Sequence, residues 1–126
     1  KLSYTHDLAL PEQWDPVDQL RRYLQALFEQ DEHVAYVTES FMADDRRRPT
    51  RGCWDRTAGQ LIAELDTCGG DIGKVVGDCD PEVGAWICFN PVDGTGRKDA
   101  NITAYRYALV ECDNMELEKQ QAIIRQ

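Results

Sequence analysis

The spacing of apolar residues changes at Pro81, and this change limits the fold more than any other feature of the sequence. Before it, apolar residues recur at helical intervals in residues 16–30 and 57–68. After it, runs rich in aromatic and β-branched residues are typical of strands. Helices followed by strands predict an α+β fold, with residues 1–80 as a helix-rich scaffold and residues 81–126 as a second part.

Short sequence signals mark the ends of these elements. An Asp-Pro pair opens the first helix as N-cap and first helical residue, and a Gly-Gly pair ends the second helix. A β-prone run predicts a strand at residues 33–38, and residues 71–76 are expected to form a further helical turn. The polar residues 44–51 predict a mobile loop, which is the best candidate for an internal linker.

Two strand-like runs follow Pro81, at residues 84–90 and 102–111. They are consecutive in the chain, so an antiparallel pair is the economical arrangement. The loop between them is long for a hairpin, and its glycines lie beside Arg97 and Lys98. This basic pair could approach a phosphate, or it could simply form a solvated hairpin tip.

The distribution of charge narrows the range of partners. A net charge of −9 over 126 residues argues against wholesale binding of a polyanion. Five of the 14 Lys and Arg nevertheless fall in one short stretch: Arg46, Arg47, Arg48, Arg51 and Arg56. Such a cluster is compatible with a local phosphate-facing patch and equally with a solvated, arginine-rich loop.

The cysteines and the lengths of the apolar runs indicate the cellular compartment of the protein. No two of the five cysteines form a Cys-x-x-Cys pair, which argues against a structural zinc site. No apolar run approaches membrane-spanning length, and residues 1–14 lack the apolar segment of a signal peptide. We therefore expect reduced thiols and a cytoplasmic protein. Cys88 and Cys112 are predicted to be small buried residues rather than nucleophiles.

Glu111 and Asp113 stand at the end of the second strand-like run. Alternate residues of a strand share a face, so the two carboxylates point the same way if the strand extends that far. Such a pair can hold a hard divalent cation. The alternative is structural: Asp113 and Glu116 fit a capping box that satisfies free backbone N–H groups at a helix start.

A family resemblance rests on two segments. Residues 86–101, with the sequence Asn-Pro-Val-Asp-Gly-Thr-Gly, and residues 105–115, with Glu-Cys-Asp, resemble the primase–polymerase domains of the archaeo-eukaryotic primase superfamily. The likeness is to the forms found in phages and mobile elements. In that family two acidic residues separated by one hold the catalytic metal ions. The resemblance implies that Glu111 and Asp113 are catalytic and bind Mg²⁺ or Mn²⁺.

The resemblance carries further expectations about fold and activity. It implies helices packed on part of an RRM-like antiparallel sheet, which is an incomplete catalytic domain. The parent protein would be a nucleotidyltransferase that joins nucleotides from nucleoside triphosphates on a single-stranded DNA template. Arg97 and Lys98 would then steer the template or an incoming triphosphate. The chain has no Ser-x-His, the family's second motif, so we expect a fragment of a larger protein that is inactive alone.

Two alternatives from another class stay open. The chain could be a non-enzymatic, acidic interaction module in which Asp113 only caps a helix. It could also be a DNA-binding accessory module that uses the arginines between residues 46 and 56. The sequence does not distinguish an RNA product from a DNA product, and it leaves the oligomeric state open.

Overall fold

A computed structural model describes residues 14–109 of the protein. The chain divides into two compact units, of which Asp15–Tyr107 forms one. Residues 1–14 and 108–126 belong to the other. The elements described below all lie within Asp15–Tyr107, and no helix of the described residues has the length and apolar character needed to cross a membrane.

Both of the predicted long helices are confirmed. Helix α1 spans Pro16–Leu27 and helix α2 spans Ala58–Thr67. The carboxylate of Asp15 caps α1 by accepting a hydrogen bond from a first-turn N–H at 3.2 Å. Thr57 and Gln60 form a reciprocal capping box at the start of α2, which satisfies two N–H groups that have no partner within the helix.

A short helix and two small sheets complete the unit, so the class is α+β. Helix α3 spans Gly73–Val76, inside the predicted helical turn. In one antiparallel sheet, β1 (Tyr36–Val37) pairs with β4 (Trp86–Ile87). In the other, β2 (Ser40–Ala43) pairs with β3 (Arg46–Pro49). The strands predicted at residues 33–38 and 84–90 are thus present, although each is only two residues long.

The hydrophobic core joins the two helices to β1. Leu24 is fully buried and Leu61 is 1% exposed, and helical spacing places both on the inner faces of α1 and α2. Ile87 and Cys88 pack against this core from the other side of Pro81. Residues from both predicted parts therefore share one core, and the boundary at Pro81 stays a prediction. The other buried members are Val17, Phe28, Val34, Tyr36, Ala58, Leu65, Cys68 and Val75.

The prediction of a mobile loop and linker at residues 44–51 is wrong. Most of this stretch is the turn and second strand of the β2–β3 hairpin. Asp44 and Asp45 form the turn with φ angles of 51° and 58°, and positive φ at both positions is what a type I′ turn requires. Three consecutive arginines followed by proline hide the alternation that identifies a strand, and Asp-Asp is not the usual Asn-Gly turn signal.

The predicted pairing of residues 84–90 with residues 102–111 is also wrong within the part of the chain that the structure describes. β4 pairs with β1 instead. Residues 103–109 form no strand, and Ile102 makes a single isolated bridge to Val92. The rest of the predicted strand, residues 110 and 111, lies outside the described residues, as does the helix predicted from residue 114.

A buried side chain bonds part of this segment. Asn90 Oδ1 accepts hydrogen bonds from the N–H groups of Arg106 and Tyr107, each at 3.0 Å. Asn90 Nδ2 donates to the Tyr107 carbonyl at 2.9 Å. One amide side chain thus bonds three backbone groups that a neighbouring strand could otherwise bond.

Candidate functional site

The loop at residues 91–101 is held in one shape by its own side chains. Asp93 Oδ1 accepts hydrogen bonds from the Thr95 N–H at 2.8 Å and from the Thr95 hydroxyl at 2.7 Å. Asn101 Nδ2 donates to Asp93 Oδ2 at 3.3 Å and to Thr95 Oγ1 at 3.1 Å. Asn101 Oδ1 accepts from the Lys98 N–H at 3.0 Å. A loop bonded in this way has little freedom to change shape.

These bonds also set the ionisation of Asp93. The hydrogen bond from the Thr95 hydroxyl, followed by the one from the Thr95 N–H, lowers the pKa of the Asp93 carboxyl below its ordinary value. Asp93 is therefore ionised at neutral pH. Its charged oxygens accept hydrogen bonds from neutral donors inside the loop, so Asp93 is not a direct partner of the neighbouring cations.

Two glycines make the loop possible. Gly94 has a φ of 84°, and a Cβ atom there would lie 2.9 Å from Cδ2 of His33. At Gly96 a Cβ atom would lie 2.5 Å from Oδ1 of Asn101, an oxygen that bonds the loop backbone. A larger residue at either position would displace a group that fixes the loop.

Arg97 connects this loop to the segment that follows β3. Its Nη2 donates to the carbonyl of Thr50 at 3.2 Å. The side chain passes over Gly52, where a Cβ atom would lie 3.1 Å from Arg97 Cδ and 2.8 Å from the Tyr36 carbonyl oxygen. That segment is in turn bonded to β1 through Cys53, whose N–H donates to the same Tyr36 carbonyl at 2.8 Å. Two distant parts of the sequence therefore meet at Arg97.

The two segments enclose an open groove of about 630 Å³. Its cations are Arg51, Arg97 and Lys98, all exposed to solvent. The guanidinium carbon of Arg51 lies 5.5 Å from the ring centroid of the half-buried Trp54, which is within the range of a cation–π contact. The remaining lining residues are Thr95, Gly96 and Asn101. We call this feature the basic groove; its lining among the described residues includes no carboxylate.

The structure divides the arginine cluster of the sequence into three environments. Arg46, Arg47 and Arg48 lie on the exposed strand β3. Arg51 lines the basic groove. Arg56 instead bonds to the Tyr36 hydroxyl and forms an ion pair with Glu64, with its side chain only 22% exposed. Arg56 therefore stabilises the fold between β1 and α2 and is not available as part of a phosphate-facing patch.

A smaller, mostly apolar cleft of about 250 Å³ shares Arg97 with the basic groove. Cys88 lines it, and its Sγ accepts a hydrogen bond from the Ala35 N–H at 3.2 Å. Burial raises the pKa of the Cys88 thiol, so this residue is a protonated packing group at neutral pH. Cys88 is half-buried and packs against the core, so the prediction that it is buried is met only in part. Cys112 lies outside the described residues.

The structure describes two of the four predicted site residues. Arg97 and Lys98 lie together in the basic groove, on the rigid loop. Glu111 and Asp113 lie outside the described residues, so their pairing, their role in catalysis and their metal binding stay predictions. Among residues 14–109, no three His, Cys, Asp or Glu side chains are grouped to hold a metal ion.

The sequence pattern does not single out Trp54. It names Arg51 in the candidate phosphate-facing cluster of residues 46–56, but does not group it with Arg97. The available signal was local: a tryptophan three residues after an arginine, on the far side of a glycine. The contact between this segment and the loop at residues 91–101 is non-local and has no counterpart in the sequence pattern.

The chemistry of the groove is that of anion binding. An arginine presents a planar set of donors, a lysine presents a compact charge, and an indole ring presents an apolar face. The lining side chains include no nucleophile paired with a base, so this part of the chain is suited to holding a ligand. Comparisons of the chain with family models, with curated proteins and with solved structures return no match.

Proposed function

We propose that the basic groove binds the phosphates of single-stranded DNA, and that the protein is part of a DNA primase–polymerase. The observation that carries the first half is the convergence of Arg51, Arg97 and Lys98 beside Trp54. Two segments more than 40 positions apart bring these side chains together in a chain whose net charge is −9. Exposed cations gathered against the overall charge of a protein favour a local anionic ligand.

The mixture of side chains favours single-stranded nucleic acid over a simple anion. Proteins that bind single strands combine a basic groove along the backbone with aromatic faces on which bases stack. Arg97 and Lys98 would contact successive phosphates, because they are adjacent and lie on a loop of fixed shape. Arg51 and Trp54 would supply a third cation and the aromatic face.

The catalytic half of the proposal concerns Glu111 and Asp113. We assign them the binding of Mg²⁺ or Mn²⁺, because hard divalent ions prefer carboxylate oxygens. The metal ions, when bound, stabilise charge on the attacking and leaving oxygens of nucleotidyl transfer. Among the described residues, Asn90 holds the backbone of residues 106 and 107, the latter four positions before Glu111 in the sequence.

We also propose a more specific fold and a cellular location for the parent protein. The α+β unit would be the N-terminal part of an RRM-like catalytic domain. The parent enzyme would act in the cytoplasm, joining nucleotides from nucleoside triphosphates on a single-stranded template and releasing pyrophosphate. The chain alone would bind DNA but lack the activity.

The groove is tested by fluorescence anisotropy with a labelled oligothymidine. The variant R97A/K98A is compared with R22A/K74A, which removes the same charge from α1 and α3. Arg22 is 73% exposed, so the control disturbs little packing. We expect R97A/K98A to weaken binding on the order of tenfold and to lower the salt slope by about 1.4, since each contact with a single strand contributes about 0.7.

Equal losses in the two variants would show that only net charge matters, and would overturn the groove assignment. A nucleoside triphosphate serves as a second probe for the same proteins. If the triphosphate competes with the oligonucleotide and loses affinity in R97A/K98A alone, the groove binds nucleotides rather than the template strand.

The metal pair is tested in the parent protein by primer synthesis. Asn is as good an N-cap as Asp, so D113N would keep the predicted helix cap and remove the charge of the proposed metal ligand. We expect D113N and E111Q each to lower activity on the order of 100-fold or more. The matched control is E116Q, which would conserve the predicted capping box. Normal activity of D113N would leave Asp113 as a cap and favour the non-enzymatic interaction module.

A further inference from the structure

The β2–β3 hairpin has two faces of different composition. Residues directly opposite each other in an antiparallel pair share a face. In the observed register Phe41 is opposite Arg48, and Ala43 is opposite Arg46. These four residues define what we call the Phe41 face. The hairpin is a sheet of its own and pairs with no other strand among the described residues.

The Phe41 face combines an exposed ring with two exposed cations. Phe41 is 50% exposed, although a phenylalanine in a strand is ordinarily buried. Arg48 is its direct neighbour across the hairpin, and Arg46 is its diagonal neighbour, so both guanidinium groups can reach the space around the ring. The ion pairs found among the described residues include neither Arg46 nor Arg48.

The opposite face is unsuitable for an anion. There Arg47 Nη1 donates to the Ser40 hydroxyl at 3.1 Å. Arg47 and Ser40 also line a cleft that contains three acidic residues, Glu39, Asp78 and Asp80. The hairpin therefore presents two arginines without an ion pair among the described residues on the Phe41 face and a mixed, acidic environment on the other.

We infer that the Phe41 face is a second binding site for single-stranded DNA, separate from the basic groove. Phosphates would contact Arg46 and Arg48, and an unpaired base would stack on the Phe41 ring. A base inside a duplex cannot stack on a protein ring without being removed from its own stack. An acidic peptide could pair with the arginines but would leave the ring without a planar partner. The exposed ring thus favours a single strand.

The turn of the hairpin is part of the inference. Asp44 and Asp45 place two negative charges at its tip, next to Arg46. Asparagine followed by glycine adopts the same type I′ turn without charge. The double change D44N/D45G should therefore keep the hairpin and tighten DNA binding about two- to fivefold at low salt.

The decisive experiment measures the affinity of the chain for a labelled oligothymidine at several salt concentrations. We expect R46A/R48A to weaken binding on the order of tenfold and to lower the salt slope by about 1.4. F41A should weaken binding about 5- to 100-fold, with a smaller effect on the salt slope. F41W should keep the affinity and F41L should lose it, because tryptophan stacks and leucine does not.

Matched controls come from the opposite face of the same hairpin. M42A removes a side chain that is 58% exposed, and R47A combined with R22A removes the same charge as R46A/R48A. These variants should bind as the unchanged protein does. Equal losses from both faces would overturn the inference, and so would F41L binding as tightly as F41W. Tighter binding of polyglutamate than of oligothymidine would show that the partner of the Phe41 face is an acidic polypeptide rather than DNA.

The two sites can be separated by combining variants. If R97A/K98A weakens binding while R46A/R48A does not, the groove stands and the hairpin site is wrong. The reverse result would contradict DNA binding by the groove and support DNA binding by the hairpin. Where both are correct, an oligonucleotide long enough to reach both sites should bind more tightly than a short one, and this gain should disappear in either variant.

Discussion

Arg106 donates two hydrogen bonds to the carboxylate of Glu32, from Nη1 to Oε1 at 2.6 Å and from Nη2 to Oε2 at 2.5 Å. The two residues are 74 positions apart in the sequence. Glu32 lies in the turn after α1, where its Oε1 also accepts from the Glu29 N–H at 2.7 Å. This bidentate pair joins the turn after α1 to the C-terminal end of the unit Asp15–Tyr107.

The Glu32–Arg106 pair makes stability depend on pH in a defined direction. The hydrogen bond from Arg106 lowers the pKa of Glu32 below its ordinary value. A group with a lowered pKa in the folded state contributes stability above its unfolded pKa, about 4.3, and loses it as pH falls through the folded value. We expect E32Q to lower the melting temperature by a few degrees at pH 7.

Thermal unfolding from pH 7 to pH 3 checks this prediction. The difference between E32Q and the unchanged protein should shrink below about pH 4.3 and vanish at the acid end. E82Q makes the same chemical change at an exposed position and should have little effect at any pH. A difference that persists at pH 3 would show that packing, rather than ionisation, is responsible.

Replacing Asn90 by aspartate tests the amide that holds residues 106 and 107. The change keeps the shape of the side chain but removes the donor to the Tyr107 carbonyl. It also places a charge at a position that is 7% exposed. We expect N90D to cost about 1–3 kcal/mol in the free energy of unfolding at pH 7, measured by urea denaturation.

The loss in N90D should become smaller as the pH falls towards 4, because a protonated carboxyl group can donate to Tyr107 again. Equal stability of N90D and the unchanged protein at pH 7 would contradict the role given to Asn90.

A glycine comparison separates backbone strain from collision. Gly94 and Gly84 have φ angles of 84° and 83°, but a Cβ atom meets His33 at Gly94 and open space at Gly84. G84A should cost only the strain of a positive φ, about 1 kcal/mol. G94A should cost more and should also weaken DNA binding, because it displaces the loop that carries Arg97.

The double variant G94A/H33A should recover the part of the lost stability that comes from the collision with His33. It should not recover the part that comes from the positive φ. Urea denaturation gives the stabilities and anisotropy the affinities. If G84A and G94A proved equally unstable, the close approach of His33 would have no energetic weight. DNA binding unchanged in a destabilised G94A would separate the loop from the groove's function.

The helices were predictable because their signals are local. Asp15 and Thr57 cap helices whose apolar residues recur at helical spacing, and Gly77 ends the short helix α3. Strands β1 and β4 were predictable as β-prone runs but not as a pair, and β2 and β3 were not predicted as strands. β1 and β4 are about 50 positions apart. Nothing in the two sequences favours their pairing over a pairing of β4 with the neighbouring run at residues 102–111.

Two other errors have specific physical causes. Three arginines and Pro49 gave residues 46–49 the composition of a loop, although every side chain of an isolated hairpin can be polar because neither face is fully buried. The run after Ile102 alternates like a strand, but the side chain of Asn90, rather than a neighbouring strand, bonds the backbone of residues 106 and 107.

The candidate site was half predictable. Arg97 and Lys98 could be chosen because a basic pair beside glycines is a recognisable pattern. The proximity of Arg51 and Trp54 to this pair could not be predicted, because it depends on the Thr50 carbonyl and on the absence of a side chain at Gly52. The sequence shows that these residues exist, but only the folded chain brings them together.

The order of residues at Asn90 affects how the protein ages. Asparagine deamidates when the backbone N–H of the next residue attacks its side-chain carbonyl carbon, which closes a five-membered ring and expels ammonia. The next residue here is Pro91, whose nitrogen carries no hydrogen. That route is therefore closed at Asn90. The amide that holds Arg106 and Tyr107 is thereby protected from this ring closure, and N90D can arise by mutation but not by this slow spontaneous reaction.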